Sequence, residues 1–278
     1  MFVAPMGFFA TAAEESDLET LVRTDLNRYF HFNGDLNDYS TNNNHASMGA
    51  GTAKYVTDKW NQKAFMAKDN EIVDSGHPMI SSDTTYSIAM WVYSDTAETN
   101  VVLCHNSVSW STWGPGGIYV TFGGSTENAS GFMYRHSNSN VTPYTCPTPA
   151  LSTGAWHHIV AVQNGTTMQV WVDGTKANEI TNATNPPFTT SNNMMIGGIK
   201  SVQSGQGGWT QESTNASIDE FAYWTKSLTQ SEIEYLWNSG NGRHIYPPAS
   251  TIDASVSVTG STVDITVTLD SKYDLKHP

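Results

Sequence analysis

Trp156-His157-His158-Ile159-Val160-Ala161-Val162-Gln163-Asn164-Gly165-Thr166-Thr167-Met168-Gln169-Val170-Trp171-Val172-Asp173-Gly174 decides the fold class. Residues 158–163 and 168–173 are rich in β-branched and aromatic side chains, which suit a pleated, half-buried surface. Asn164-Gly165-Thr166-Thr167 joins them, and Asn-Gly marks a tight hairpin because its positions tolerate positive φ. Asp173-Gly174 closes the second run in the same way. The pattern predicts an antiparallel hairpin.

Upstream, Tyr86-Ser87-Ile88-Ala89-Met90-Trp91-Val92-Tyr93 reads as a further strand. From Tyr29 to about Phe221, short runs of this kind alternate with clusters of Asn, Ser, Thr and Gly, such as Ser40-Thr41-Asn42-Asn43-Asn44. Repeated short strands with turn signals predict an all-β chain, a two-sheet antiparallel jelly-roll sandwich. Two helices interrupt it. Ser16-Asp17-Leu18-Glu19 is a capping box, and Leu18, Leu21, Val22 and Leu26 recur at helical spacing, giving a helix over 16–27. Thr229-Gln230-Ser231-Glu232 is a second box, followed by Ile233, Leu236 and Trp237 on one face and Gly240 at the left-handed C′ position. Near the C-terminus, Val256, Val258, Val263, Ile265, Val267 and Leu269 alternate around Gly260-Ser261, a hairpin with a Gly-X type II′ turn. The predicted organisation is an N-terminal arm and helix over 1–27, the jelly roll over 28–246, and a linker and β-hairpin tail over 247–278.

Only 14% of the 278 residues are charged, against about 25% in an ordinary soluble domain. Thirteen basic and 26 acidic residues give a net charge of −13. Such a surface repels nucleic acid. No apolar run approaches the ~20 residues of a membrane span. The N-terminal Met1-Phe2-Val3-Ala4-Pro5-Met6-Gly7 lacks a basic residue before its apolar stretch and is interrupted by Pro5 and Gly7, which argues against a cleaved signal. Two cysteines, Cys104 and Cys146, allow one bridge or two buried thiols and rule out a disulfide scaffold.

In this order the elements resemble the laminin-G-like jelly-roll family of the concanavalin A-like lectin/glucanase superfamily. Four blocks carry the resemblance: Tyr29-Phe30-His31-Phe32-Asn33-Gly34-Asp35 through Asn44-His45-Ala46; residues 86–92; residues 154–174; and Ile218-Asp219-Glu220-Phe221-Ala222-Tyr223-Trp224 through Leu236-Trp237. The resemblance covers about 28–243. It implies the fold; for function it implies only that members bind glycans or proteins, or nothing known.

The acids of the opening and closing blocks, Asp35, Asp219 and Glu220, are the oxygen donors a hard cation wants, and the superfamily's frequent structural calcium makes them the candidate metal ligands. Asx-turn bonding explains the same residues without a metal. Catalytic residues are not found. Asp219 and Glu220 are adjacent and so predicted on opposite faces of a strand, unlike the same-face carboxylates of a glycosidase. Arg23, Arg28, Arg135 and Arg243 are too dispersed for a sialidase-type cluster, and no Gly-x-Ser-x-Gly, His-Glu-x-x-His or P-loop occurs. His157 and His158 face opposite sides and cannot hold one ion together; one packs and one is solvated. Trp156 and Trp171 read as core. Trp110, Trp113 and Trp209, in Gly-rich segments, and Tyr144 are the candidate ligand-binding aromatics, set against a reading in which they plug the end of the sandwich.

Two functions stay open. One is a non-catalytic structural and attachment protein of a large assembly, such as a phage virion fibre or head/tail decoration, located in the virion and able to bind glycans. The other is a secreted carbohydrate-binding or adhesion module of a bacterial cell-surface protein. The partners expected are other virion or surface proteins, docked on the arm and the hairpin, together with glycans and further copies of the chain.

Overall fold

The computed structural model describes residues 12–69, 71–78, 85–98, 101–105, 117–123, 131–134, 144–181, 193–199, 212–213, 215–245, 253–259 and 262–268. The chain divides into two compact units, Met1–Ile245 and Tyr246–Pro278.

The first unit is an antiparallel sandwich, all-β but for its helices. One sheet runs in the order Thr175–Ile180, Thr167–Val172, Trp156–Asn164, Thr85–Tyr93, Ala216–Trp224, Lys63–Ala67 and Tyr55–Thr57, with Leu26–Phe30 also paired to Ala216–Trp224. The other runs Tyr144–Pro147, Gly131–Tyr134, Gly117–Val120, Val101–His105, Met195–Ile196, Ile72–Asp74 and Ser47–Ala50. Alternation along Thr85–Tyr93 sends Tyr86, Ile88, Met90 and Val92 into the core between the sheets, where they meet Leu103, Ile118, Val120, Ile159, Ala161 and Phe221. Burying a Leu- or Phe-sized side chain contributes about 1.5–3 kcal/mol, so each of these positions is a stability determinant.

The outer face of the larger sheet carries a second apolar layer, with Ala89, Val160, Val162, Ala222 and Trp224 on the strands. Two helices supply its other half: α1 (Ala12–Arg23) through Val22, and α2 (Gln230–Trp237) through Ile233 and Leu236. The α2 capping box forms as the sequence predicts: Thr229 Oγ1 accepts from Glu232 N at 3.3 Å, and Glu232 accepts from Thr229 N at 2.8 Å.

Several local expectations shift. The first helix occupies 12–23 rather than 16–27, so Ser16 lies within it. Asp25 at φ 59° breaks the helical path, and Leu26 opens a strand opposite Trp224. In the central hairpin Asn164 pairs with Thr167, which leaves Gly165-Thr166 as the two-residue turn; of these only Gly165 has positive φ (57°). The left-handed cap of α2 is Asn238 (φ 49°, ψ 51°), ahead of Gly240. Cys104 and Cys146 are free, buried thiols in the core, and burial pushes their pKa values up to about 12 and about 11.

The largest departure is in Ala216–Trp224. Asp219 pairs with Trp91 and Ala222 with Ala89, so Glu220 and Phe221 together oppose the single residue Met90. This is a β-bulge. Phe221 stays in the core, while Glu220, at φ 51°, turns to the outer face. The two acids therefore share a face, contrary to strict alternation.

The second unit contains a hairpin, Asp253–Thr259 paired with Thr262–Thr268, with Val256 opposite Ile265 and Val258 opposite Val263. Its turn residues, Gly260 and Ser261, lie outside the described residues.

Candidate functional site

The register of the larger sheet lays its outer face out in rows. Val160, Ala89 and Ala222 form a row under the helices. Two residues along, His158, Trp91 and Asp219 form the next. Two further, Trp156, Tyr93, Ser217 and Met66 form a row across four strands, at the end the helices do not reach.

That last row is the floor of an open cleft of about 520 Å³, within the ~300–1,000 Å³ range of small-molecule sites. Val56, Thr57, Lys68, Ser94, Asp95, Thr96, Glu98, Asn215 and Ala216 complete its lining. Tyr93 and Trp156 are half-buried, their ring centroids 5.5 Å apart and their planes inclined at 38°. Polar groups at the rim are held in place. Glu98 Oε1 accepts from Thr96 Oγ1 at 3.2 Å and from Asn215 Nδ2 at 3.1 Å, while Ser94 Oγ donates to the Asn215 carbonyl at 3.0 Å. The cleft thus combines apolar ring surface with oriented hydrogen-bonding groups. Trp156, read as core in the sequence, is a cleft residue because it opens its strand where the apolar layers end; Trp171 is buried as expected.

The middle row is closed over. Trp60 packs edge-on against Trp91 (5.8 Å, 85°), and the Lys59 ammonium lies 3.6 Å from the Trp91 ring centre and donates to the Gly240 carbonyl. Burial pulls the Lys59 pKa down to about 8, against the opposing charges of Asp173 and Asp58. His158 packs over Trp91, and burial takes it down to about 3, so the imidazole is neutral. Glu220 accepts from the Tyr29 hydroxyl and meets His244 Nδ1 at 2.7 Å. Burial would lower the His244 pKa, but the Glu220 charge and hydrogen bond raise it overall. Asp219, 1% exposed, is pushed well above the usual carboxylate range by burial and then by the charges of Glu220 and Asp58.

These partners decide the fit of the candidate metal ligands. Both Asp35 oxygens are taken, by Asn37 and by Tyr39. Glu220 is held by Tyr29 and His244. Among the described residues no three His, Cys, Asp or Glu side chains gather to hold one ion. Asp35, Asp219 and Glu220 thus do not form the calcium site that the resemblance implies. Of the candidate ligand aromatics, Trp110, Trp113 and Trp209 lie outside the described residues, and the Tyr144 backbone pairs with Tyr134 in the smaller sheet.

Ser152, His157 and Asp173 line up in the order of a hydrolytic triad. His157 Nε2 faces Ser152 Oγ at 2.9 Å, and Nδ1 faces Asp173 Oδ2 at 2.7 Å. However, Nε2 also lies 3.2 Å from the Ser152 carbonyl oxygen. That acceptor wants Nε2 protonated, whereas a general base needs it bare. Asp173 Oδ1 in turn accepts from His158 N at 2.9 Å. His157 pairs with Val92, a core-facing residue, so it sits on the opposite face of its strand from Trp156 and the cleft. The trio fastens the 151–155 turn to the hairpin end. His157→Ala should therefore lower the melting temperature by a few degrees, about 1 kcal/mol of hydrogen bonding. Wild type should resist a fluorophosphonate probe, and labelling of Ser152 that His157→Ala abolishes would reverse this reading.

No helix among the described residues is long and apolar enough to cross a membrane. No curated protein sequence matches the chain. Among solved structures, domain 4 of AbnA, a GH43 extracellular arabinanase from Geobacillus stearothermophilus solved with arabinotriose, is similar: 20% identity, TM-score 0.58, covering 75% of this chain and 96% of that one. The binding domain of Paraclostridial Mosquitocidal Protein 1 has 14% identity, TM-score 0.56 and coverage of 79% and 53%. The botulinum neurotoxin serotype C1 binding domain has 14% identity, TM-score 0.55 and coverage of 78% and 52%. This chain thus spans about half of each toxin chain, and at such identities the likeness is one of fold. Residues 67–234, more than half of the chain, match a family model of laminin-G-like domains, and with the two-sheet sandwich they show that the chain belongs to the concanavalin A-like lectin/glucanases superfamily.

Proposed function

We propose that the cleft binds carbohydrate and that the chain is a non-catalytic attachment module. The observation that carries this reading is the Tyr93–Trp156 ring pair on the floor of an open cleft rimmed by hydroxyl, amide and carboxylate groups. Sugar rings present C–H faces that stack on aromatics and hydroxyls that pair with such a rim. The arabinotriose held by the similar arabinanase domain supports it.

The wider role in this reading is attachment within a large assembly, a virion fibre or a head/tail decoration, with the N-terminal arm and the C-terminal hairpin docking on neighbouring proteins or copies. The sparse charge and the separate C-terminal unit support it. A second reading, a secreted carbohydrate-binding module, is favoured by the extracellular arabinanase domain, nearly all of which this chain covers. Mass spectrometry of purified particles and of secretions separates the two.

Trp156→Ala tests the cleft. Loss of a stacking anchor worth ~2 kcal/mol should weaken binding of a glycan found by array screening about 30-fold, with the melting temperature changed by only a few degrees. Unaltered affinity, or loss of binding in step with loss of folded protein, would remove the cleft from the mechanism.

A further inference from the structure

The charge around the cleft carries its specificity further. Asp95 and Glu98 line it, and Lys68 is the cation among its described lining residues. Glu98 is fixed at both ends. Its backbone exchanges hydrogen bonds with Phe122 at 3.2 and 2.8 Å, and its Oε1 takes the two donors from Thr96 and Asn215. A carboxylate held this way is an acceptor ready for a ligand hydroxyl. Lys68 and Asp95 are both exposed, so these two opposite charges offset one another at the rim and Glu98 is left as the uncompensated one. The ring pair needs no charge on the ligand, and the whole chain carries −13.

Resting on the carbohydrate reading of the cleft, we propose that it selects neutral, hydroxyl-rich oligosaccharides and rejects sialylated or uronate-bearing ones. A ligand hydroxyl can donate to Glu98; a ligand carboxylate cannot, because it is an acceptor only. It also meets the like charge of Glu98, held in place beside protein walls where the local field is screened less than in bulk water. Rejection of the wrong ligand then comes from repulsion built into the rim.

The test titrates the full chain by calorimetry with pairs of probes matched except for charge: the methyl ester of 3′-sialyllactose against free 3′-sialyllactose, and fully methyl-esterified trigalacturonate against the free acid. Arabinotriose is added as a further neutral probe. The neutral member of a pair should bind at least about tenfold more tightly, a difference of about 1.4 kcal/mol. The gap should shrink in the double variant Asp95→Asn/Glu98→Gln and at high salt. An anionic member that binds as well or better, or a gap that the double variant leaves unchanged, overturns this inference alone. Failure of every probe and of an array screen to bind, in wild type and Trp156→Ala alike, overturns the carbohydrate reading and this inference with it.

Discussion

Trp224→Ala is expected to lower stability by about 4 kcal/mol and the melting temperature by roughly 10 °C. Trp224 is fully buried, and its Nε1 donates to the Val22 carbonyl at 2.6 Å, which ties α1 to the sheet. Its strand is paired on both sides, with Leu26 and with Ser87 as partners at this position. A cavity there cannot collapse without breaking the sheet, so the cost falls at the high end for an aromatic truncation. Trp224→Phe separates the terms: it keeps most of the apolar volume but removes the donor, and should cost about 1–2 kcal/mol. Thermal denaturation of the three proteins checks the order. A Trp224→Ala protein as stable as wild type would mean that the outer apolar layer does not hold the helices.

Asp219→Asn should act in the opposite direction, raising stability and the melting temperature at pH 7. An asparagine can still accept from Glu220 N, as Asp219 Oδ1 does at 3.0 Å, and its amide can donate towards Asp58 without placing a third charge beside Asp58 and Glu220. The pH dependence follows from the raised pKa. Between the ordinary value of 3.8 and the raised one, the unfolded chain has lost the proton that the folded state keeps. Stability therefore falls as pH rises through that window. Below it both forms of Asp219 are neutral and the two proteins should melt together; above it the advantage of the variant is complete. A variant that melts lower than wild type at pH 7 would show that the Asp219 charge is stabilising.

The fold was legible because its signals are local. The Asn164-Gly165 turn, the alternation of residues 86–93 and the Thr229/Glu232 box each act over a few residues, and each is found within one or two positions of where it reads. The site was not. Its lining comes from residues 56–57, 66 and 68, 93–96 and 98, 156, and 215–217, and no spacing in sequence gathers five such segments; only the sheet register does. Trp156 reads as core because aromatics in strands usually are. What exposes it is its place at the start of a strand, beyond the reach of α1 and α2, which periodicity does not report. The shared face of the paired acids escapes the sequence for a similar reason, since two-residue alternation has no way to signal a bulge.

That bulge has an architectural meaning. The core-facing positions are even-numbered before it, Ala216 and Ile218, and odd-numbered after it, Phe221 and Tyr223. The strand is out of phase with itself by one residue, and Glu220 is that residue. Excised, it would leave Asp219 followed directly by Phe221, an unbroken alternation in which every other side chain keeps its side. Glu220 is therefore the residue that carries the phase change, and what holds it is the Tyr29 hydroxyl and His244 rather than a ladder partner.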